Sequence, residues 1–263
     1  MKFISSRENP VFKQLKALAE DSRTRRQAQA TLIDGDHLLQ AALDTHWPIN
    51  RLLVREDLRE SEFVQAVQDR LQGQNIETLV LSSGLFNALS PVVTPTGVMA
   101  EISIQAPRTQ LSTEDDVLVL AGVQDAGNLG TLLRSAVAAG CRQVWLDQHC
   151  AQAWSPKALR AGMGAQFNIS ILESCDLKQM LENDARQTLA TSLGDESVSL
   201  YELDLRKPNV WMFGSEGQGL PPVLLDLAQR RVRIPMPGSI ESLNVGAAAA
   251  VCLFEQVRQR MHG

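Results

Sequence analysis

Three loops in the C-terminal half carry residues whose types and spacing could do chemistry. The first spans residues 124–136 and begins Gln-Asp-Ala-Gly-Asn. Its apolar residues form one helical stripe, made of Leu129, Leu132, Leu133, Ala136 and Val137. At about 100° per residue, Arg134 lies off that stripe, on a helix whose N-terminal N–H groups favour anions. The pattern fits an anion-binding arginine or, equally, a capped helix with a solvated arginine.

The second loop is rich in glycine and reads Phe213-Gly-Ser-Glu-Gly-Gln-Gly-Leu-Pro-Pro222. Three glycines within six residues allow positive φ angles and a close approach of the backbone to a ligand. The loop has neither the Lys-Ser/Thr ending of a P-loop nor the position of a dinucleotide fingerprint. Because Glu216 would repel phosphates, the loop favours a ligand with ammonium, sulfonium or hydroxyl groups. A plain strand-to-helix turn is the alternative.

The third loop reads Ile234-Pro-Met-Pro-Gly-Ser-Ile-Glu-Ser-Leu-Asn-Val245. Ser242 is predicted to be the N-cap that opens the final helix. Its neighbours Leu243 and Val245 are apolar and could wall a pocket the size of adenine. As a single motif this loop is weak, because an ordinary N-cap explains much of it.

These loops belong to the second of two predicted α/β domains. A polar stretch with one proline, residues 105–116, separates two patterned regions. We therefore predict an N-terminal domain over 1–106, a linker over 107–116 and a C-terminal domain over 117–263. The apolar run 117–122 is typical of a strand buried on both faces of a parallel sheet. In such sheets ligands bind outside the carboxyl ends of the strands, where the three loops would meet.

Strand and helix signals place further elements on both sides of the linker. In the N-terminal domain we predict helices from Asn9-Pro10 and over 36–43 and 61–71. Its strands are predicted at 31–33, 51–54, 77–81 and 97–104. In the C-terminal domain the predicted strands include 143–146, 210–213 and 232–235, and an alanine-rich helix runs from Ser242 to about Arg260.

Charge is unevenly distributed along the chain. The formal net charge is −5, which argues mildly against a nucleic-acid partner. The first thirty residues nevertheless hold seven cations against three carboxylates. We predict that this basic region contacts RNA through Arg7, Lys13, Arg23, Arg25 and Arg26. A solvated helix face is the alternative, because exposed lysine and arginine are common.

Cysteine and histidine give no sign of a metal or disulfide site. The four cysteines (Cys141, Cys150, Cys175 and Cys252) have no CxxC spacing, which favours free thiols in a reducing compartment. The four histidines are equally dispersed, so no metal is expected. No apolar run approaches the ~20 residues of a membrane span, and residues 1–7 hold no apolar stretch. We expect a cytoplasmic protein.

Taken together and in order, the three loops resemble the motifs of the SpoU/TrmH family of SPOUT RNA methyltransferases. The residues that carry the resemblance are Asn128-Leu-Gly-Thr-Leu-Leu-Arg134-Ser-Ala, 213–220, 234–238 and 241–245. The stretch 155–165 is similar to the family's intermediate segment, and the resemblance covers residues from about 115 to 263. Residues 6–10 and 32–35 resemble the ribosomal-protein-like RNA-binding domain often attached to this family. Asp34, Ala126 and Gly162 depart from the commoner residues, which bears on substrate choice more than on catalysis.

The resemblance implies a fold, an assembly and a set of roles. It implies a C-terminal trefoil knot, a homodimer with the active site near the interface, and S-adenosylmethionine as methyl donor without a metal. Main-chain groups of Gly214, Ile234 and Leu243 would hold that donor, with Gly219 giving the close backbone approach. The reaction site would be lined by Asn128, Arg134, Glu216, Ser242 and Asn244.

The predicted activity is methylation of a ribose 2′-hydroxyl in structured RNA, ribosomal rather than transfer RNA. Since an unperturbed arginine has a pKa above about 12, Arg134 is assigned to binding the RNA phosphate and orienting the hydroxyl. The proton acceptor is left open. Two alternatives are a non-catalytic RNA-binding or ribosome-assembly protein on this fold and an RNA base methyltransferase of the same class.

Overall fold

The chain folds into two compact units, and the boundary between them differs from the predicted one in one segment. The computed structural model describes residues 1–74, 76–107, 112–194 and 196–261. The first unit contains Met1–Ala106 and also Trp154–Phe167, and the second contains the rest. The segment 154–167 was assigned from the sequence to the C-terminal domain. Residues 108–111 of the predicted linker lie outside the described residues.

The first unit is built on a five-stranded mixed sheet in the order β1-β4-β3-β5-β2. Strands β1, β4 and β3 are parallel, whereas β5 runs antiparallel to both β3 and β2. The strands are β1 (Lys2–Ile4), β2 (Ala30–Asp34), β3 (Ile49–Arg55), β4 (Glu77–Leu81) and β5 (Val98–Ser103). The helices are α1 (Pro10–Glu20), α2 (Ser22–Ala28), α3 (Asp36–Asp44), α4 (Glu62–Arg70) and α5 (Ser83–Leu89), with a 3-10 turn at Glu56–Leu58. The alternation predicted from the sequence is confirmed, and β1, α2 and α5 are additions to it.

The start of α1 shows how sequence fixes an element of this unit. Pro10 occupies the first turn, where its missing N–H costs nothing, and the Asn9 side chain accepts from the Val11 N–H at 2.9 Å. Phe12, Leu15 and Leu18 then form the buried face, which packs with β1, β2 and α5 in one apolar core.

The prediction that Arg25 contacts RNA is wrong, because the Arg25 side chain is buried. Its side chain is 5% exposed, and its guanidinium donates to the carbonyl oxygens of Leu18 (2.8 Å) and Ala19 (3.2 Å). These carbonyls lie in the last turn of α1, whose C=O groups lack helical partners. Arg25 therefore closes the end of α1 and cannot reach a phosphate.

The segment 154–167 completes the first unit although it follows the first two strands of the second. It contains α7 (Pro156–Gly162) and a 3-10 turn at Ala165–Phe167, and α7 packs against β2. The Thr31 hydroxyl donates to the Trp154 carbonyl oxygen at 2.8 Å, and the Trp47 ring stacks on Trp154 with centroids 5.5 Å apart. Phe167 contacts the Trp47 ring at 5.1 Å. An aromatic cluster thus holds this segment to the N-terminal residues.

The second unit is a seven-stranded parallel sheet in the order β10-β12-β9-β11-β6-β7-β8. Its strands are β6 (Val117–Leu120), β7 (Gln143–Leu146), β8 (Ser170–Leu172), β9 (Gln187–Thr191), β10 (Val198–Ser199), β11 (Asn209–Phe213) and β12 (Arg230–Arg233). Its helices are α6 (Ala126–Ala138), α8 (Leu177–Glu182), α9 (Pro222–Leu225) and α10 (Val245–Met261), with a 3-10 turn at Leu200–Glu202. The predicted parallel α/β fold is confirmed, and the trefoil knot stays a prediction.

The sheet is buried on both faces at its centre, as the apolar run 117–122 predicts. All four residues of β6 are buried. Val117 and Val119 pack in one core with Leu181 of α8 and Leu224 of α9. Since successive strand residues point to opposite faces, Leu118 and Leu120 fill the other side. The first two predicted loops follow β6 and its neighbour β11, and the third follows β12, two strands beyond β11 in the same sheet.

The last helix begins later than predicted. Ser242 lies outside it and is exposed, and α10 starts at Val245. The N-terminal N–H groups are satisfied by Asn244, whose Oδ1 accepts from Gly246 at 2.9 Å and Ala247 at 3.4 Å. Serine and asparagine are both good N-caps, so the pattern alone could not choose between residues 242 and 244.

All four cysteines are free, as predicted. Burial raises the pKa of Cys141 and of Cys252 to about 12, so both remain neutral thiols at physiological pH.

Candidate active site

Three side chains, one from each predicted loop, meet in a hydrogen-bonded cluster. Asn128 and Asn244 both donate their side-chain N–H groups to Glu216 Oε1, at 2.8 and 2.6 Å. The Asn244 amide also lies 3.2 Å from Asn128 Oδ1. These hydrogen bonds lie beyond the carboxyl ends of β6 and β11, which is where ligands bind in parallel sheets. We call Asn128, Glu216 and Asn244 the amide–carboxylate cluster.

Two helix caps hold the amides of this cluster in place. Asp125 is the N-cap of α6, and its Oδ1 accepts from the Asn128 backbone N–H at 2.9 Å. The side-chain oxygen of Asn244 caps α10, so its side-chain N–H groups are the ones that donate to Glu216. Because one oxygen of Glu216 takes both amides, the carboxylate is held in one orientation. Its other oxygen forms no hydrogen bond or ion pair in the described part of the chain.

The glycine-rich loop closes on itself behind β11. The backbones of Ser215 and Gly219 exchange hydrogen bonds, at 3.2 and 2.9 Å. A Cβ on Gly214 would lie 2.0 Å from the Gly219 carbonyl carbon, so this position requires glycine. Gly219 has φ +67°, with open space where a side chain would stand. The loop therefore presents backbone, and not side chains, at Gly219.

Two cavities lie on either side of this loop. The Ile234 cavity, about 480 Å3, is lined by residues 214–219 together with Ile234, Met236, Ser242, Leu243 and the ends of β9 and β11. The Asp147 cavity, about 680 Å3, is lined by residues 121–125, Asn128, Asp147, His149 and again 215–219. The two share residues 215–219 and Val245. Glu216, the carboxylate of the amide–carboxylate cluster, thus stands where both cavities meet, whereas Asn244 lines neither and reaches this point through its hydrogen bond to Glu216.

The structure brings most of the predicted site residues together. Gly214, Gly219, Ile234 and Leu243, the predicted donor-binding residues, all line the Ile234 cavity, as does Ser242. Asn128 and Glu216 both line the Asp147 cavity. Arg134 lines neither cavity. It is exposed on α6, six residues after Asn128, with no hydrogen bond or ion pair to any described residue.

The predicted RNA-binding cations of the first unit differ in their surroundings. Lys13 is paired with Glu8 at 2.5 Å, and Arg26 is within 3.4 Å of the Ser22 carbonyl and hydroxyl oxygens. Arg7 and Arg23 are exposed and make no side-chain contact of this kind with the described residues. Of the five predicted RNA-binding cations, Arg7, Lys13, Arg23 and Arg26 are therefore accessible.

Sequence reasoning missed the polar wall of the Asp147 cavity. Gln124 follows β6, and Asp147 and His149 follow β7, so they reach the same edge of the sheet. The sequence feature that could have identified these residues is their position shortly after two buried strands that are neighbours in the sheet. Cys150 follows His149 in the chain but does not line the cavity, and burial and the nearby Asp147 carboxylate raise the pKa of its thiol to about 12. It donates to the Leu120 carbonyl oxygen at 3.3 Å and is not a thiolate nucleophile.

The described part of the chain holds neither a metal-binding cluster nor a membrane-spanning helix. Within residues 1–74, 76–107, 112–194 and 196–261, no three His, Cys, Asp or Glu side chains cluster closely enough to hold a metal ion. No helix in these same ranges has the length and apolar character that crossing a bilayer demands.

Known families account for nearly all of this architecture. The SpoU rRNA Methylase family matches residues 115–254, and the MRM3-like substrate binding domain matches residues 9–100. The chain belongs to the SpoU methylase family, which confirms the resemblance seen in its three loops.

Individual relatives match over almost the whole length. An uncharacterised tRNA/rRNA methyltransferase of Synechocystis sp. is 34% identical over 98% of this chain and 94% of its own. The 23S rRNA (guanosine(2553)-2′-O)-methyltransferase RlmP of Bacillus subtilis is 29% identical over 97% of this chain and 98% of its own. Among solved structures, the AdoMet-bound rRNA methyltransferase of Sinorhizobium meliloti has a TM-score of 0.85 at 28% identity, covering 98% of this chain and 97% of that one.

Proposed function

We propose that this protein transfers the methyl group of S-adenosylmethionine to a ribose 2′-hydroxyl of RNA, with ribosomal RNA as its substrate. The observation that carries the proposal is the amide–carboxylate cluster at the junction of two cavities. Two adjoining cavities suit a methyl transfer, because the donor sulfur and the acceptor oxygen must lie on opposite sides of the methyl carbon. Family membership and the rRNA 2′-O-methyltransferase named among the relatives support the same activity.

The Ile234 cavity fits S-adenosylmethionine. Its volume of about 480 Å3 suits a small cofactor. Ile234, Met236 and Leu243 offer apolar walls for an adenine ring, and the exposed backbone of Gly219 allows close approach. Glu216 supplies negative charge beside the place where a sulfonium and an ammonium group would lie. When bound, S-adenosylmethionine supplies an already activated methyl group, so no metal is called for.

The side chains then have to orient the acceptor hydroxyl. Glu216 is fixed by two amides on one oxygen, which leaves its second oxygen to face the substrate. Arg134 is assigned to the RNA phosphate next to the target ribose, because its exposed guanidinium has no partner among the described residues. It is not assigned the role of base, since its pKa lies above about 12.

The decisive test is the identity of the methylated product. The protein would be incubated with unmodified ribosomal RNA and S-adenosylmethionine labelled in the methyl group, and the RNA then digested to nucleosides. A labelled 2′-O-methylnucleoside is expected. Label on a base would support a base methyltransferase instead. Donor binding without transfer to any RNA would support a non-catalytic RNA-binding protein.

The first unit is assigned to RNA docking, with Arg7, Lys13, Arg23 and Arg26 on its contacting face. The double variant Arg23→Glu/Arg26→Glu is expected to weaken RNA binding at low salt by roughly 10-fold or more, and to flatten the salt dependence by about one to two released counterions. Affinity for S-adenosylmethionine should not change. The measurement is RNA binding as a function of salt concentration.

A matched control uses cations that already have carboxylate partners. Arg59 pairs with Glu60 and Arg70 with Asp44 in the same unit. Reversing Arg59 and Arg70 to Glu changes the net charge equally, but should affect RNA affinity much less. Equal losses in both double variants would show a general charge effect and contradict a docking face.

We also infer a homodimer formed through α10. Ala247, Phe254 and Met261 are exposed and recur at seven-residue spacing, so they form one apolar stripe along the helix. Phe254 is 47% exposed. A stripe of this kind on a helix that also packs against α6 is suited to a second copy of the chain.

Phe254→Asp is expected to convert the dimer to a monomer at micromolar concentration, because it places a charge in an apolar interface. Sedimentation velocity would measure this, with Phe3→Asp as control, since Phe3 is an exposed aromatic of the first unit, on β1. An unchanged sedimentation coefficient in the Phe254 variant would exclude this face. We further propose that the enzyme works in the cytoplasm, where its RNA substrate is found.

A further inference from the structure

The Asp147 cavity has no assigned occupant, although it opens on the reaction site. It shares residues 215–219 with the Ile234 cavity and is lined on its far side by the loops after β6 and β7. If the methyl donor fills the Ile234 cavity, the acceptor nucleotide must reach the amide–carboxylate cluster from this side. The inference below therefore rests on the proposed function.

The sign of the charge in this cavity limits which part of a nucleotide it can hold. Its described lining contains three carboxylates, Asp125, Asp147 and Glu216, and neither lysine nor arginine. A phosphate would be repelled there. A group rich in N–H donors would be attracted, and in a nucleotide such groups belong to the base.

Asp147 is the carboxylate best placed to receive such donors. Its Oδ1 accepts backbone N–H groups from Gly122 at 3.1 Å and from His149 at 3.0 Å, which fixes its orientation. Gly122 has φ +71°, the left-handed conformation in which glycine is favoured. The Cys150 thiol lies beside this carboxylate and donates to the Leu120 carbonyl oxygen, whereas Oδ2 accepts no backbone N–H and forms no ion pair within the described chain. Asp125, in contrast, is committed to capping α6.

We propose that the Asp147 cavity holds the base of the acceptor nucleotide and that Asp147 selects guanine. The Watson–Crick edge of guanine presents two adjacent donors, N1–H and N2–H, to a carboxylate. Adenine and cytosine present a ring-nitrogen acceptor at the centre of that edge, and uracil flanks its single N–H with two carbonyl oxygens. Unstacked RNA bases are commonly recognised on this edge. The guanosine in the name of the Bacillus relative agrees with this choice.

The first experiment replaces one acceptor oxygen with a donor. Asp147→Asn is expected to lower kcat/KM for methylation of unmodified ribosomal RNA roughly 100-fold, because the new amide opposes guanine N1–H. Affinity for S-adenosylmethionine should stay within about two-fold of wild type, which shows that the fold is kept. Asp204→Asn is the matched control: Asp204 Oδ1 also accepts the backbone N–H two residues on, at 3.2 Å, but it lines neither cavity. That variant should retain wild-type activity.

The second experiment tests the contact itself. An RNA fragment containing the nucleotide methylated by the wild type would be made with guanosine or with inosine, which lacks the N2 amino group. Inosine should lower kcat/KM roughly 10-fold for the wild type. It should change that of Asp147→Asn by less than about two-fold, because the partner of that amino group is already lost.

The outcomes separate this inference from the function on which it rests. If the wild type methylates no ribose, the proposed function fails and this inference fails with it. If it methylates ribose on a nucleotide other than guanosine, or if Asp147→Asn keeps wild-type kcat/KM, only the role of Asp147 is overturned. An equal inosine effect in both enzymes would also overturn it.

Discussion

Gly219→Val is expected to weaken binding of S-adenosylmethionine roughly 100-fold while leaving the protein folded. Gly219 lines the Ile234 cavity, and a Cβ added there would have no atom within 4 Å apart from its chain neighbours, so a valine side chain would stand in open space at this cavity. It would therefore occupy room that the proposed donor needs. Isothermal titration calorimetry would measure the loss, about 2.7 kcal/mol of binding free energy.

The control for this variant separates backbone strain from lost space. Valine at φ +67° is strained, at a cost on the order of 1–3 kcal/mol in folding stability. Gly140 has φ +87° in the same unit, with equally open surroundings, and lines neither cavity. Gly140→Val should therefore lose similar stability and keep wild-type donor affinity. Wild-type affinity in a folded Gly219→Val protein would contradict the assignment of the cavity.

The second large effect is expected from Arg134→Ala, which should lower kcat for methyl transfer by about 10²–10³. Donor binding and thermal stability should be unchanged, because the side chain is exposed and lines neither cavity. Arg134→Lys should restore little activity, since a point charge lacks the planar fork that can hold a phosphate and a hydroxyl together.

Arg142→Ala provides the matched control for Arg134. Arg142 is another exposed arginine of the second unit, and its side chain has no hydrogen bond or ion pair to the described residues. Its removal should leave kcat within about two-fold of wild type. Near wild-type turnover by Arg134→Lys would show that charge alone suffices and would contradict the orienting role.

The secondary-structure elements that depend on the local pattern of apolar and polar residues were predicted well. The strands at 77–81 and 143–146 were predicted to the residue, because short apolar or alternating runs between turns define strands directly. The three loops were also placed correctly at one edge of the sheet, since parallel strands bring their carboxyl ends together. The contacts among Asn128, Glu216 and Asn244 were implied only by family resemblance.

The errors arose where a long-range contact decides a residue's role. Arg25 looks like any surface cation in the sequence, and only the turn between α1 and α2 brings it onto the carbonyls of Leu18 and Ala19. Asp147 was overlooked because nothing in its neighbourhood marks it as a site until β6 and β7 lie side by side. The packing of 154–167 onto Trp47 was equally invisible, because it joins residues more than a hundred positions apart.

That late-arriving segment has a consequence for synthesis. A chain made from its N-terminus produces β6, α6 and β7 before residues 154–167 emerge, so the first unit stays incomplete while part of the second is already present. Until then the Trp47 ring lacks the Trp154 and Phe167 rings that later cover it. Apolar surface exposed on a nascent chain invites misassembly. A chain stalled before residue 154 would therefore keep this apolar surface exposed, and chaperones would be expected to bind it.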